Sequence, residues 1–248
     1  MNRVLIVTGG SRGIGAATCR LAAAQGWDVA VNYTRDTAAA ETVAAAVRAG
    51  GRRAITVAAD VADEAAVAAM FERVERELGA LGGLVNNAGV VDVAARVDEM
   101  SLARWNRMFA INVIGSMLCA RAALRRMSTR HGGAGGAIVN LSSAAARLGS
   151  PGQYVDYAAA KGAIDSFTLG LAREVAAEGV RVNAVRPGII ETDIHASGGE
   201  PGRAAQLGPM VPMKRAGSAD EVAQAIVWLL GPLSSYTTGS IIDVTGGR

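Results

Sequence analysis

Short apolar runs alternate with longer helical patterns along almost the whole chain. The runs are continuously apolar, as in Val4–Val7, which is typical of strands that are buried on both faces. The segments between them repeat apolar residues at helical spacing, as in Asp63–Leu78. This alternation predicts right-handed βαβ crossovers and a parallel sheet covered by helices on both faces. The predicted strands are Val4–Val7, Val29–Val31, Ala54–Ala58, Leu84–Asn86, Ala137–Leu141, Val180–Val185 and Ser240–Val244.

The predicted fold class is α/β, with residues 1–248 forming a single doubly wound domain around a parallel sheet of about seven strands. The length of 248 residues suits one such domain, and the hydrophobic fraction of 50% supplies a large core. Ligands of such sheets bind at the carboxyl ends of the strands. The predicted helices begin near Ile14 and then cover Thr37–Ala49, Asp63–Leu78, Ser101–Met127, Tyr154–Ala177 and Asp220–Leu230, and 188–212 is predicted as a loop with short helices.

Composition argues against several classes of protein. The net charge is +3 and the arginines are scattered, so no nucleic-acid stripe is expected. No stretch approaches about 18 uninterrupted apolar residues, so no membrane span is expected. Cys19 and Cys119 fall in apolar helical patterns and offer no disulfide framework, which favours a cytoplasmic location. No cluster of cysteine, histidine and carboxylate residues has metal-ligand spacing, so no metal site is expected.

A glycine-rich turn, Thr8-Gly-Gly-Ser-Arg-Gly-Ile-Gly15, joins the first strand to the first helix. Gly9 lets the chain turn sharply, while Gly13 and Gly15 remove side chains where a diphosphate approaches and where the helix packs. The helix N-terminus then presents free N–H groups to the phosphates, with Ser11 and Ile14 in the same turn. The alternative is an ordinary glycine turn. The spacing Thr-Gly-x-x-x-Gly-x-Gly resembles that of the short-chain dehydrogenase/reductase family, which has a Rossmann fold.

The tip of the second strand indicates which dinucleotide binds. An acidic residue there would bind the ribose 2′-hydroxyl and select NAD. Tyr33 occupies that place instead, and Arg12 and Arg35 lie near enough to pair with a 2′-phosphate. The predicted cofactor is therefore NADP. The alternative is that both arginines are solvent-exposed and the cofactor is NAD.

A tyrosine and a lysine stand four residues apart in Tyr157-Ala-Ala-Ala-Lys161. Residues at this spacing share one face of a helix. A nearby cation lowers the pKa of a phenol, so that Tyr157 could exchange a proton with an alcohol or a carbonyl. Tyr154 has alanine at the corresponding spacing and is interpreted as a wall residue. Chance placement of the pair is the competing interpretation.

Two serines, Ser142 and Ser143, close the fifth strand at the edge where ligands bind. A hydroxyl there could donate to a substrate carbonyl, or it could simply cap a helix. In the family that the chain resembles, the active serine usually lies thirteen residues before the tyrosine. Ala144 holds that position here, so the segment 144–156 is one residue longer than usual. Ser143 is assigned, with Ser142 as the reserve.

The resemblance extends over essentially the whole chain and implies further site residues. It implies that the backbone of Asn112 holds a water that links Lys161 to solvent. It implies that Asn87, Ala88 and Gly89 line the adenosine ribose and that Asp60 and Val61 contact adenine. It also implies that Pro187 and Gly188 turn the chain beside the nicotinamide, whose carboxamide Thr192 would bind.

The expected function is therefore an NADP-dependent oxidoreductase that transfers a hydride between the cofactor and a small carbonyl or alcohol substrate. The pattern is closest to family members that act on 3-oxoacyl groups of acyl carrier protein or on sugars and polyols. The resemblance also implies a homotetramer. The alternative from another class is a non-catalytic nucleotide-sensing or scaffold protein on the same fold, and a methyltransferase is disfavoured. His195 could contact a substrate or lie on the surface.

Overall fold

The computed structural model describes residues 3–192 and 198–248. In these residues seven strands form one sheet in the order β3-β2-β1-β4-β5-β6-β7, and every pairing is parallel. The prediction of an α/β fold with a parallel sheet is confirmed. The strands are β1 (Val4–Val7), β2 (Asp28–Tyr33), β3 (Ala54–Ala58), β4 (Leu81–Asn86), β5 (Gly136–Leu141), β6 (Val180–Pro187) and β7 (Ile241–Val244).

Helices cover both faces of the sheet. They are α1 (Gly13–Ala24), α2 (Thr37–Ala49), α3 (Glu64–Leu78), α4 (Leu102–Phe109), α5 (Gly115–Met127), α6 (Ala145–Leu148), α7 (Val155–Val175), α8 (Arg203–Leu207) and α9 (Ala219–Leu230). One core packs α1, α2 and α9 against the sheet, and a second packs α3, α5 and α7 against the other face. Strand order reverses between β1 and β4, so a crevice opens there at the carboxyl edge.

Strand β4 begins three residues earlier than the apolar pattern predicts, because it contains two glycines. A Cβ on Gly83 would lie 2.9 Å from a methyl group of Leu5 and 3.2 Å from the ring of Trp27. Neighbouring side chains therefore fill the space above Gly83. An apolar count along the sequence misses such a strand, since the glycine carries no hydrophobic side chain of its own.

The predicted helix 101–127 is interrupted. A π-helical turn, Ala110–Ile114, separates α4 from α5. By length and composition the segment Leu102–Met127 could cross a membrane, but half of its most apolar window is buried in the protein. Core helices of soluble proteins meet the same criterion, so the absence of a membrane span stays a prediction.

Both cysteines are buried and free. Burial raises the pKa of each thiol, Cys19 and Cys119, to about 12. Their interpretation as small buried hydrophobic residues is confirmed. Thiols with such a raised pKa are poor nucleophiles and poor metal ligands at neutral pH.

Candidate active site

A cavity of about 510 Å³ lies at the carboxyl ends of β4, β5 and β6. It brings together predicted residues from five separate parts of the chain. Those that line it are Ile14, Asn87, Gly89, Ser143, Tyr157, Lys161, Pro187, Gly188 and Thr192. Gly9, Ser11 and Arg12 form the turn before α1, which begins at Gly13 and contains Gly15. At the same sheet edge Tyr33 ends β2, Arg35 follows it, and Asp60 and Val61 follow β3.

The glycine turn adopts a conformation that side chains would disturb. Gly9 and Gly13 have φ angles of +60° and +50°, in the left-handed region that favours glycine. A Cβ on Gly15 would lie 2.4 Å from the carbonyl oxygen of Gly9 and 2.6 Å from Nδ2 of Asn87. The backbone of α1 therefore packs directly against the turn.

Strand β4 supports this turn through Asn87. Its Nδ2 donates to the carbonyl oxygens of Thr8, at 2.8 Å, and Gly9, at 3.0 Å. The Thr8 hydroxyl oxygen accepts from the N–H groups of Asn87 and Ala88, both at 2.9 Å. These bonds tie the ends of β1 and β4 together at the crevice, so Asn87 shapes the turn in addition to lining the cavity.

Sequence reasoning missed Asn32, which holds the turn from the other side. Its Oδ1 accepts from the N–H of Gly9 at 3.2 Å, and its Nδ2 donates to the carbonyls of Val57 and Ala59. The side chain is buried, with 1% of its surface exposed. A polar residue that ends an otherwise apolar strand was the available signal.

The arrangement fits a dinucleotide with a 2′-phosphate. Within the described residues, the N-cap residue Arg12 makes no side-chain cap on α1 and the first turn contains no acidic residue, which leaves its N–H groups for an anion. Arg12 and Arg35 are exposed near the tip of β2.

Asp36 is an acid close to this tip, but its carboxylate caps α2 by accepting from the N–H of Ala39 at 2.9 Å. The Tyr33 hydroxyl accepts from Thr37 at 3.1 Å.

Tyr157 and Ser143 interact across the cavity. Burial raises the pKa of Tyr157 to about 12, and the hydrogen bond with Ser143 opposes this rise. The Ser143 Oγ also accepts from the N–H of Ala145 at 3.1 Å, at the start of α6. Ser142 points elsewhere, since its buried hydroxyl donates to the Lys161 carbonyl at 3.3 Å. The contact with Tyr157 favours Ser143 over Ser142.

The Lys161 side chain is buried against β5. Its Nζ donates to the Leu141 carbonyl at 2.6 Å and lies 5.6 Å from the centre of the Tyr157 ring. Burial lowers the pKa of Lys161 to about 8, and Asp165 acts in the opposite direction. Burial has the larger effect on the pKa of Tyr157, and the Lys161 ammonium faces the ring and the Leu141 carbonyl. A lowering of that pKa by Lys161 therefore stays a prediction.

Asn112 lies in the π-helical turn, a feature that sequence periodicity did not predict. Its side-chain amide makes two hydrogen bonds to the backbone of Val90. Nδ2 donates to the carbonyl oxygen at 3.0 Å, and Oδ1 accepts from the N–H at 3.1 Å. A Cβ on Gly89 would lie 2.7 Å from Oδ1 of Asn112 and 3.6 Å from Nζ of Lys161. The glycine lets Asn112 and Lys161 approach each other, and π-helical turns often mark functional sites.

Comparison with known proteins identifies the family. A family profile described as "Enoyl-(Acyl carrier protein) reductase" matches residues 9–248. A solved double mutant of the Serratia marcescens short-chain dehydrogenase/reductase is 34% identical, with a TM-score of 0.91 over 100% of this chain and 98% of that one. The chain belongs to the short-chain dehydrogenase/reductase family. It is an oxidoreductase.

Other relatives of this short-chain dehydrogenase/reductase span nearly its whole length. The uncharacterized oxidoreductase YgfF of Escherichia coli K12 is 53% identical over 245 residues, which cover 99% of each chain. The cis-4-hydroxycyclohexanecarboxylate dehydrogenase of Sinomonas cyclohexanicum is 41% identical, over 99% of this chain and 96% of that one. A Burkholderia cenocepacia short chain dehydrogenase, solved in complex with NADP, is 34% identical with a TM-score of 0.89, over 100% and 98%.

The mouth of the cavity in this short-chain dehydrogenase/reductase contains residues that sequence reasoning did not assign. Arg203 lies in the segment 188–212, which the sequence predicts as a loop with short helices, and only 14% of its side chain is exposed. Its guanidinium lies 5.2 Å from the centre of the Tyr154 ring, and Nη2 donates to Oε1 of Gln153 at 2.6 Å. It also pairs with Glu200. Tyr154 lines the cavity, as its interpretation as a wall residue predicts. His195 lies outside the described residues.

Proposed function

We propose that this oxidoreductase transfers a hydride between NADP(H) and a small carbonyl or alcohol substrate. The observation that carries the proposal is the convergence of Ser143, Tyr157 and Lys161 on one cavity beside the glycine turn. When bound, the nicotinamide supplies or accepts the hydride. The residues of the chain bind, orient and exchange the proton.

Tyr157 gives the proton to the carbonyl oxygen in the direction of reduction. A pKa of about 12 keeps its phenol protonated at neutral pH, which suits a proton donor. Ser143 positions the carbonyl beside the phenol. Lys161 holds the nicotinamide ribose hydroxyls, and Asn112 sustains the path by which Tyr157 regains its proton.

Cofactor binding follows from the crevice at the carboxyl edge. The glycine turn and the open N-terminus of α1 bind the diphosphate through Gly9, Ser11, Gly13, Ile14 and Gly15. Arg12 and Arg35 pair with the 2′-phosphate beside Tyr33, and the NADP-bound Burkholderia relative supports this choice. The remaining contacts are Asp60 and Val61 with adenine, Asn87, Ala88 and Gly89 with the ribose, and Pro187, Gly188 and Thr192 with the nicotinamide.

A thermal-shift comparison followed by a carbonyl screen tests the proposal. NADPH is expected to raise the melting temperature more than NADH at equal concentration. The screen then follows NADPH oxidation with cyclohexanones, 4-oxocyclohexanecarboxylate, 3-oxoacyl thioesters and sugars. Stronger stabilisation by NADH would overturn the choice of cofactor. NADPH binding without turnover of any carbonyl or alcohol would favour the nucleotide-sensing or scaffold alternative.

We also propose a cytoplasmic homotetramer built through α7 and through the last strand and helix. Large apolar side chains are exposed on the helices around α7 and near the C-terminus, and contact with another copy would cover them. They include Phe109, Ile114, Met117, Leu169, Leu233 and Tyr236. Light scattering coupled to size-exclusion chromatography tests the assembly, and a monomer at micromolar concentration would contradict it.

A further inference from the structure

An ion pair whose side chains are 13% and 17% exposed lies one helical turn beyond Lys161. Asp165 stands four residues after Lys161 on α7, so the two residues share one face of the helix. Arg186 on β6 donates to Oδ2 of Asp165 from Nε at 3.0 Å and from Nη2 at 2.8 Å. Both donors therefore use the same carboxylate oxygen.

The second carboxylate oxygen of Asp165, Oδ1, receives no hydrogen bond from Arg186. Among the residues that the structure describes, Oδ1 is buried and has no hydrogen-bond partner. A buried carboxylate oxygen without a donor is costly, so it calls for an explanation beyond the structural role of an ion pair. An electrostatic action on the neighbouring ammonium supplies that explanation.

Two further charged residues, Asp243 and Arg147, connect Arg186 to the protein surface. Nη1 of Arg186 lies 3.5 Å from Oδ1 of Asp243, and Arg147 donates to Oδ2 of Asp243 at 2.6 Å. The side chains become more exposed along this line, from 13% for Asp165 to 58% for Arg147. Solvent screens the outer pair strongly and the inner pair weakly. The charges of Asp165 and Arg186, the inner pair, therefore act on Lys161 more strongly than those of Asp243 and Arg147.

The other elements around Lys161 contribute little competing charge. On α7 the facing group is the neutral phenol of Tyr157, and β5 and the π-helical turn present the Leu141 carbonyl and Asn112. At the start of α7, Asp156 is paired with Arg104 from α4. Arg147 of α6 is engaged by Asp243. Asp165 is the carboxylate within the described residues that raises the pKa of Lys161 against the effect of burial.

We propose that Asp165 and Arg186 are a pair of positioning residues that set the charge on Lys161. The carboxylate keeps the buried ammonium protonated at neutral pH, and the guanidinium limits how strongly it does so. Opposite effects follow from removing the two partners. The inference rests on the proposed function only for its catalytic meaning, since the protonation of Lys161 can be measured without substrate.

The lysine content makes that measurement direct. The chain has two lysines, Lys161 and Lys214. Protein labelled with ¹³C at the lysine ε-carbon therefore gives two signals, and Lys214→Arg leaves the signal of Lys161 alone. The pH titration of this signal reports the ammonium of Lys161 in the native protein.

Three variants in the Lys214→Arg background test the proposal. Asp165→Asn is expected to lower the titration midpoint of Lys161 by roughly 1 pH unit, because a neighbouring negative charge is lost. Arg186→Gln is expected to raise it, because the carboxylate is no longer neutralised. Asp243→Asn is the matched control for loss of an acid, and it should leave the midpoint nearly unchanged because solvent screens this group.

A purely structural ion pair would give a different pattern. Both single variants would then lose stability, and the midpoint would stay in place or move in the same direction in both. A titration midpoint of Lys161 that stays in place, or that moves in the same direction in both variants, overturns the proposal. If a single variant fails to fold, Asp165→Asn/Arg186→Gln removes both charges, and its midpoint is expected below that of wild type. A midpoint equal to that of wild type would contradict the proposal.

The pH dependence of carbonyl reduction supplies an independent readout. The pH at which the rate of reduction falls to half should move down in Asp165→Asn and up in Arg186→Gln, following the NMR midpoints. NMR midpoints that shift while the rate profile stays in place would reject the catalytic meaning of the pair and also the proposed role of Lys161. The electrostatic part of the inference would stand.

Discussion

Arg104 holds both carboxylate oxygens of Asp156, with Nε 2.7 Å from Oδ2 and Nη2 3.1 Å from Oδ1. The two side chains are only 10% and 2% exposed. Asp156 directly precedes Tyr157, so this ion pair fixes the first turn of α7 against α4. The orientation of the tyrosine therefore depends on a helix fifty residues earlier in the chain.

Arg104→Met should destabilise the protein strongly, since it leaves Asp156 buried without its cation. A loss of about 3–5 kcal/mol in the free energy of unfolding is expected from urea denaturation. Arg107→Met is the matched control on the same helix, because its pair with Asp92 is longer, at 3.4 Å, and more exposed. Its cost should stay below about 1 kcal/mol. Equal losses in the two variants would contradict this account.

Tyr157→Phe should abolish turnover and leave NADPH binding nearly intact, because it removes the proton donor and little else. The rate of carbonyl reduction should fall by at least about 100-fold. Thermal shift with NADPH checks that the cofactor site survives. Tyr236→Phe is the control, since Tyr236 does not line the cavity. Retained turnover in Tyr157→Phe would eliminate the proposed mechanism.

Arg12→Gln and Arg35→Gln should each weaken NADPH while NADH is unaffected, because NADH lacks the 2′-phosphate. A charge-assisted hydrogen bond contributes about 1.5–3 kcal/mol, so the dissociation constant of NADPH should rise about tenfold or more. Titration calorimetry with both cofactors measures this. Arg125→Gln, an exposed arginine on α5, serves as the charge-matched control. Equal weakening of NADPH and NADH would place the arginines on the diphosphate instead.

The strands were predictable because they consist mainly of apolar residues, and the central strand β1 is buried throughout. Val4–Val7 and the less buried edge strand Ala54–Ala58 both have the predicted bounds. The bounds of capped helices could also be predicted, as in α2, where Asp36 caps the predicted start at Thr37. Motif residues were found because Tyr157 and Lys161 require only local helical spacing.

The missed features depend on tertiary contacts that no local pattern encodes. The π-helical turn around Asn112 leaves the apolar periodicity of its segment almost unchanged. Asn32 gains its role from strands that meet it in space. The partner of Asp165 is Arg186, 21 residues away on another element. The pKa of Tyr157 also depends on its burial, because sequence spacing gives the neighbouring cation but not how deeply the phenol lies in the protein.

Gly15→Ala should weaken both folding and cofactor binding, because the added Cβ would collide with the Gly9 carbonyl and with Asn87. Relief of that clash displaces the turn, and overpacking of this kind costs about 1–3 kcal/mol. Gly170→Ala is the control in α7, where an added Cβ meets nothing. That variant should gain up to about 1 kcal/mol from helix propensity. Denaturation and NADPH thermal shift measure both, and a stabilised Gly15→Ala would refute the proposed packing.

Lys161→Met should be more stable than wild type at neutral pH, although it lacks activity. The pKa of Lys161 falls from 10.5 to about 8 on folding because of burial. The unfolded chain therefore binds more protons between these values, and wild-type stability rises with pH across that window. Below pH 8 the full penalty, about 3 kcal/mol, opposes folding. Loss of the bond to Leu141 offsets about 1 kcal/mol of the gain in the variant.

Chemical denaturation of wild type and Lys161→Met at pH 7 and pH 10 tests this directly. The advantage of the variant should be largest at pH 7 and should shrink as the lysine of the wild type becomes neutral in both states. Lys214→Met is the control for the removal of an exposed lysine. An advantage of Lys161→Met that grows with pH would reverse the sign of the argument. It would show that folding raises the pKa of Lys161 instead of lowering it.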